Sequence, residues 1–301
     1  MPAQNVSTIY IGLGSNMGDR EGHLRRALSL LAERIGPLTA CSTFVETDPV
    51  GFSSPNKFLN AAAAFSTTLT ADALLAATQQ IERELGRTHK SHDGVYADRP
   101  IDIDLLLSTA ETCDRPELTL PHPRLTERRF VLQPLCEIAP FEQMPDGRFL
   151  IDILLDMDGI SIEEMAESSD ESVVFVEKIL PQLTENAGAF DANKLKALAA
   201  DASTHLYLAR DAEGRLCGMA TLCLTLAPTG CRGWVEDVVV DEAYRGKGIG
   251  AALLTRIEWH ARRLGAKSLN LTSRPEREAA NRLYRSLGFE TRRTNVYRKK
   301  L

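Results

Sequence analysis

The apolar positions of the first half of this chain alternate between strand-like and helix-like spacing. "STIYIGLGSN" reads as a strand running into a glycine turn, and "REGHLRRALSLLAERIG" has helical spacing that stops at Gly36. "KFLNAAAAFSTT" is strand-like, and "ADALLAATQQIERELG" is again helical and ends on a glycine. "RPIDIDLLL" is a further strand, followed by "LPHPRLTERRFVLQPLCEIAP". "ISIEEMAESSDESV" is acidic, lacks a glycine turn and carries a serine pair, so it reads as a linker. The second half restarts the pattern. "VVFVEKILPQLTENAG" and "DANKLKALAAD" predict helices, and "THLYLARD" and "RLCGMATLCLT" flank "AEG" as a hairpin. "GWVEDVVVD" predicts a buried strand leading through "EAYRGKGIG" into a helix that ends at Leu264, with Gly265 as its stop. "SLNLTS" is another strand. "RPEREAANRLYRSLG" predicts a helix with Ser273 and Glu276 as a capping box and Gly288 as its terminator. The expectation is two α+β domains with mixed sheets, over residues 1–160 and 173–301, joined by a linker at 161–172.

Composition narrows the class. A chain of 301 residues suits two ordinary domains, and 44% hydrophobic with 25% charged residues is the balance of a soluble globular protein. The net charge of -6 argues against a general nucleic-acid binder. Six cysteines without a C-x-x-C pair read as reduced structural thiols. The N-terminal residues lack the basic and apolar regions of a signal peptide, and no apolar run is long enough to span a bilayer. A cytoplasmic protein with small-molecule substrates, and neither a nucleic-acid nor a membrane partner, is expected. Oligomeric state is not legible.

The strand "RPIDIDLLL" poses a chemical question. Asp102 and Asp104 point to one face, while Ile101 and Ile103 point to the other. Two carboxylates side by side repel each other and lose hydration, so something must compensate. Arg87 and Lys90 in "GRTHKSHDG", Arg99, and Arg128 and Arg129 supply cations nearby in sequence. Carboxylates holding Mg²⁺ among arginines are the parts of a phosphoryl-transfer site. A structural network of aspartates and arginines fits the spacing equally well. "GLGSNMG" lacks a following G-K-[ST] and is not a P-loop, so a turn before a helix is its expected role. His89 and His92 have metal-compatible spacing but no third ligand.

Four separated motifs, "IGLGSNMGDR", "FLNAA", "RPIDIDLLL" and "LPHPRLTERRFVLQPLCEIAP", together resemble the 6-hydroxymethyl-7,8-dihydropterin pyrophosphokinases over roughly residues 7–158. The resemblance implies a ferredoxin-like fold and transfer of pyrophosphate from ATP to the pterin hydroxymethyl group, with release of AMP and two Mg²⁺ ions. It implies metal binding by Asp102 and Asp104, phosphate contacts from Arg87 and Arg99, and Lys90 in a mobile loop. Asn60, Phe58, Phe130, Thr47 and Val50 fall at pterin positions, and Gln79, Glu82, Thr119, His122 and Arg128 at ATP positions. Three residues depart from the pattern: Asp98 before Arg99, Pro123 after His122, and Tyr96 in place of a tryptophan. Asp98 is expected either to weaken phosphate approach or to face solvent.

In "YRGKGIGAALL", Arg245, Gly248 and Gly250 mark a strand-to-helix turn whose free N–H groups can bind a phosphate. "VEDVVVDEAYRGKGIGAALL", "LNLTS" and "AANRLYRSLGF" resemble the GNAT N-acetyltransferase superfamily over roughly residues 172–298. The resemblance implies a GNAT fold and acetyl-CoA bound by Val238, Val240, Arg245, Gly246, Lys247, Gly248, Ile249, Gly250 and Asn281. It implies Tyr284 as the acid that protonates the departing thiolate. Taken alone, Tyr284 reads as a core aromatic, since Ala280, Leu283 and Leu287 share its apolar side, and the family pattern favours the catalytic role over it. Glu236 and Asp237 are adjacent, so only one should face the cleft, and Glu236 is the expected base, with a water-mediated proton path as the equal alternative. Trp259 and His260 are expected to pack. The basic tail "RRTNVYRKKL" reads as a solvated edge strand. The acceptor is an unidentified amine, on a small molecule or a protein. The alternative is a non-catalytic acetyl-CoA-binding module that regulates the first half.

Overall fold

The computed structural model describes residues 6–87, 97–183, 190–297 and 299. Two compact units divide at residue 157, one ending at Met157 and the other starting at Asp158.

The first unit is built on strands β1 (Ser7–Ser15), β2 (Leu38–Cys41), β3 (Val45–Thr47), β4 (Phe58–Thr67) and β5 (Asp102–Ser108). Their sheet order is β2-β4-β1-β5, with β3 also on β4, and every pairing is antiparallel. Helix α1 (Arg20–Arg34) connects β1 to β2, and α2 (Ala71–Glu84) connects β4 to β5, which is the ferredoxin-like arrangement. A small ribbon, β6 (Cys113–Arg115) and β7 (Leu118–Leu120), precedes α3 (Arg129–Ile138) and α4 (Leu150–Asp156). Asp19 and Thr70 cap the N-termini of α1 and α2 through their side chains.

Two apolar layers cover this sheet. On one face Ile9, Ile11, Leu13, Ala61, Ala63, Phe65, Ile101, Ile103 and Leu105 pack against α1 and α2. On the other, Tyr10, Ala62, Ala64 and Leu106 pack against α3 and α4. Each fully buried isoleucine stabilises the fold by roughly 1.5–3 kcal/mol, so the register of β5 is strongly held, with Asp102 and Asp104 on the α3 face.

The second unit carries β8 (Ser161–Glu164), α5 (Asp170–Leu183), α6 (Ala192–Ala200), β9 (Thr204–Arg210), β10 (Leu216–Ala227), β11 (Gly230–Val240), α7 (Ile249–Arg263), β12 (Leu269–Asn270) and α8 (Glu278–Ser286). Its sheet order is β12-β11-β10-β9-β8, and β12 is parallel to β11 while the rest are antiparallel. This is the expected mixed sheet.

Three expectations are corrected. Part of the expected linker is a strand, because β8 pairs with β9 from Ser161↔Arg210 to Glu164↔Tyr207, and α5 already begins at Asp170. Its acidic side chains find cations across the ladder, as Glu163 accepts from Arg210 Nε at 2.7 Å. The Ser273–Glu276 capping box does not form: α8 starts at Glu278 with Arg277 as N-cap and no side-chain cap, while Ser273 Oγ is buried without a hydrogen bond among the described residues. The tail residues 291–297 carry no strand and are exposed.

Candidate functional site

Gly14 pairs with Asp102 and Gly12 with Asp104 across β1–β5, and Gly14 pairs with Asn60 across β1–β4. Directly paired residues share a face, so the two aspartates and Asn60 surround a strip of β1 that has no side chains. A Cβ on Gly14 would lie 3.0 Å from Asn60 Oδ1 and 3.8 Å from Asp102 Cβ. The glycines expected in a turn therefore sit inside the strand and floor an open cleft of about 590 Å³; Gly18 takes the turn with a positive φ.

The cleft is lined by Asp102, Asp104, Arg99, Arg128, Asn60, Phe58, Phe130, Thr47 and Val50 among the expected residues. Phe52 and Asp48 also line it and escape the sequence reading. They lie in "DPVGFSSPN", a turn-rich loop without periodicity, where the only signal was an isolated aromatic. Phe52 meets Phe58 edge-on at 6.2 Å between centroids. The guanidinium of Arg99 stands 5.1 Å from the Phe58 ring centre, and that of Arg128 5.7 Å from the Phe130 ring centre. Asn60 Nδ2 donates to Thr47 Oγ1 at 2.7 Å.

The two aspartates differ sharply. Asp102 Oδ2 accepts from Arg99 Nη2 at 2.6 Å, and its Oδ1 is paired with Arg87 Nη1. Burial pushes the Asp102 carboxyl up, but the charges of Arg99 and Arg87 outweigh it and leave it below the usual carboxylate range. Asp104 has no hydrogen bond or ion pair among the described residues. Burial, then the neighbouring Asp102 charge, raise its carboxyl well above that range, with Arg128 opposing in part. A desolvated carboxylate without a donor, beside a second carboxylate on the same face, suits a hard cation taking oxygen ligands.

The remaining expected residues are distributed as follows. Arg87 bridges Asp102 and Glu82, and Glu82 also accepts from the backbone N–H of Ile103 at 2.9 Å. Glu82 is thus buried beneath β5 and does not line the cleft. Gln79 on α2, Thr119 on β7 and His122 lie off the lining too. His122 donates its backbone N–H to Leu106 at 2.8 Å, and burial, then Arg128, lower its proton affinity. Lys90, Tyr96, His89 and His92 lie outside the described residues. The Asp98 carboxylate does not stand free in solvent. It accepts from Asn16 Nδ2 and Asn56 Nδ2, each at 2.6 Å.

In the second unit Gly246 and Gly248 have φ of 81° and 82°. Gly248 is the N-cap of α7 without a side-chain cap, so the first-turn N–H groups remain available to an anion. Arg245 turns back, donating from Nε to Val240 O at 3.1 Å and from Nη2 to Gln182 Oε1 at 3.2 Å. Tyr244 donates to Asp211 Oδ2 at 2.6 Å, and Lys247 Nζ stands 5.1 Å from the Tyr244 ring centre. A Cβ on Gly250 would lie 3.2 Å from Leu283, so α8 packs closely on the start of α7. Ile249 is buried there, and Val238 is half-buried. Asn281 Nδ2 donates to Arg274 O at 2.8 Å. Tyr284 is 8% exposed, meets Phe289 edge-on at 6.0 Å, and its hydroxyl proton affinity is raised by burial.

The premise that Glu236 and Asp237 alternate across β11 fails. Asp237 has φ of 54°, in a bulge where the β10–β11 register shifts beside Met219 and Thr221. Both carboxyls are raised by burial, and Glu236 additionally by Asp237.

Two family models match the chain. Residues 10–140 match the family described as 7,8-dihydro-6-hydroxymethylpterin-pyrophosphokinase (HPPK), and residues 173–289 match the acetyltransferase (GNAT) family. A 2-amino-4-hydroxy-6-hydroxymethyldihydropteridine pyrophosphokinase from Porphyromonas gingivalis is 51% identical over 45% of this chain and 93% of its own length. The protein of that name from Bacillus subtilis is 48% identical over 43% of this chain and 77% of its own length. Among solved structures, glucosamine-6-phosphate N-acetyltransferase from Arabidopsis thaliana has 20% identity and a TM-score of 0.41, over 46% of this chain and 97% of that one.

Proposed function

From the premise that this chain belongs to the 7,8-dihydro-6-hydroxymethylpterin-pyrophosphokinase family, with a GNAT domain following, we propose that it carries two transferase activities. The first moves pyrophosphate from ATP to 6-hydroxymethyl-7,8-dihydropterin and releases AMP. One observation carries this reading: Asp104, a carboxylate without a hydrogen-bond or ion-pair partner among the described residues, shares a glycine-floored cleft with Arg99, Arg128 and an aromatic lining. The flat pterin lies against Phe58 and Phe130, and Asn60 Oδ1, aimed over Gly14, accepts from a pterin N–H. Thr47 fixes the Asn60 amide orientation by accepting from Nδ2.

Asp102 and Asp104 are the residues to hold two Mg²⁺ ions, which when bound neutralise charge on the transferring phosphates. Arg99 and Arg128 add fixed positive charge to the cleft, and Arg87 holds Asp102 ionised from beneath. Positioning and electrostatics supply the rate, since no covalent intermediate is needed. The test is AMP release by the purified chain given ATP, Mg²⁺ and 6-hydroxymethyl-7,8-dihydropterin. Pterin-dependent AMP supports the reading, and AMP release indifferent to pterin removes it.

The second activity is acetyl transfer from acetyl-CoA to an amine. The uncapped N-terminus of α7 with the Gly246 and Gly248 turns offers a pyrophosphate cradle. Tyr284 is the acid for the departing thiolate, and Glu236, raised by burial, is the base that deprotonates the acceptor. The test is free-thiol release from acetyl-CoA with amines, amino acids, polyamines, peptides and reduced pterins. Turnover with one acceptor supports catalysis; binding without turnover across the panel moves the reading to a regulatory module.

A further inference from the structure

Away from both clefts, three elements of the second unit bring a carboxylate and two imidazoles together. Glu164 ends β8, His205 lies near the start of β9, and His260 lies in α7. Their potential ligand atoms all lie within 4.8 Å of one another. His205 Nδ1 and Glu164 Oε1 share a hydrogen bond of 2.6 Å, and His260 Nδ1 lies 3.8 Å from Glu164 Oε2. The two rings meet at 4.5 Å between centroids. Tyr207, two residues from His205 on the same strand face, shares a hydrogen bond with His260 Nδ1. His260 is therefore part of a polar cluster and not a simple packing residue.

The Nδ1 atoms of both rings face the Glu164 carboxylate, at 2.6 Å and 3.8 Å. An ion seated between them takes His205 Nδ1 in place of its hydrogen bond to Glu164, because only the deprotonated nitrogen offers a lone pair. Two imidazoles and one carboxylate are also a ligand set used by catalytic zinc sites, which leave a fourth position open.

We propose that Glu164, His205 and His260 bind one divalent transition-metal ion of the zinc class, with the fourth position open to the Tyr207 hydroxyl or to solvent. Such an ion joins β8, β9 and α7 at one point. It fastens the edge strand that opens the second unit onto the helix whose N-terminus faces the acetyl-CoA cradle. Nothing in either proposed transfer reaction uses this cluster, and the ligands are all side chains of this chain.

The experiment uses the full chain, stripped with a chelator and dialysed against Zn²⁺ in excess Mg²⁺, which keeps the Asp102–Asp104 site out of the count. Bound zinc is measured directly, and Co²⁺ is substituted to read the visible spectrum of a low-coordinate site. The expected result is one equivalent of Zn²⁺ in the native chain, lost in His205→Ala/His260→Ala. Glu164→Gln changes no volume and should weaken binding roughly 10- to 100-fold, which keeps the test open should the double variant misfold. Equal zinc uptake by the native chain and both variants, or none by the native chain, overturns the proposal.

Discussion

Asn16 is bonded on both sides of its amide: Nδ2 donates to Asp98 Oδ1 at 2.6 Å, and Oδ1 accepts the backbone N–H of Arg99 at 2.8 Å. One buried side chain at the end of β1 thereby fixes the segment from which Arg99 reaches Asp102. Asn56 completes the clamp from the loop before β4 by donating to Asp98 Oδ2 at 2.6 Å.

Asn16→Ala should therefore act through Arg99. Losing the buried amide costs about 1–3 kcal/mol of stability. It also releases a cation from the cleft, so kcat for AMP release should fall roughly 10- to 100-fold. Asp98→Asn retains the volume and some of the bonds, and should fall between Asn16→Ala and the native chain. Unchanged kinetics in Asn16→Ala, measured at a temperature where it is folded, would show that Arg99 needs no such support.

The two aspartates should separate stability from activity in opposite ways. Asp102→Asn leaves Arg87 and Arg99 without their shared counter-charge, and breaking a largely buried pair costs about 3–5 kcal/mol. Asp104→Asn removes the like-charge neighbour and a desolvated carboxylate, so Tm should hold or rise. Both should lower Mg²⁺-dependent AMP release, by roughly 10²-fold or more. Thermal melts and rates on the same two preparations decide it. Asp104→Asn with native activity would remove this residue from the cation site.

Gly14→Ala tests the floor of the cleft. The added methyl would sit 3.0 Å from Asn60 Oδ1 in a strand that any residue can adopt. The fold should persist, while KM for the pterin should rise by about tenfold or more as Asn60 is displaced and the floor is filled. ATP binding, measured separately, should change little. A pterin KM within twofold of native would mean that the substrate does not lie over Gly14.

How far the sequence could lead is clear from these residues. The shared face of Asp102 and Asp104 was legible because strand alternation and the flanking isoleucines leave one register for β5. The glycine turn at the start of α7 was legible because motif and spacing sit in one contiguous stretch. Asn16 and Asp98 were not, since their bond joins distant loops that carry no periodicity. Strand β8 was hidden because its ladder partners, and the arginine that offsets its acidic residues, come from β9. The bulge at Asp237 depends on pairing with β10, so alternation alone could not locate it. The expected capping box failed for a similar reason: spacing fixed neither where α8 starts nor what buries Ser273.

The proposed acetyl-CoA cradle should depend on Asp211, which opens the turn between β9 and β10. Asp211 Oδ2 accepts from Tyr244 at 2.6 Å and from Arg215 Nε at 2.8 Å, and Oδ1 accepts the Arg215 backbone N–H at 2.8 Å. The hydrogen bond from Tyr244, then those from Arg215, hold its carboxyl well below the usual range against the opposing effect of burial. A depressed folded-state value gives stabilisation that is fully present above the unfolded carboxylate range and is lost as pH falls below it. Tyr244 immediately precedes Arg245, so the same bonds hold the cradle. Tyr244→Phe should raise the Kd for acetyl-CoA several-fold at neutral pH, and because Asp211 stays ionised through mildly acidic pH, native binding should not weaken there through this carboxyl. Calorimetric titration with acetyl-CoA at neutral and mildly acidic pH reads both effects. A native Kd for acetyl-CoA in both Tyr244→Phe and Asp211→Asn would detach the cradle from this carboxylate.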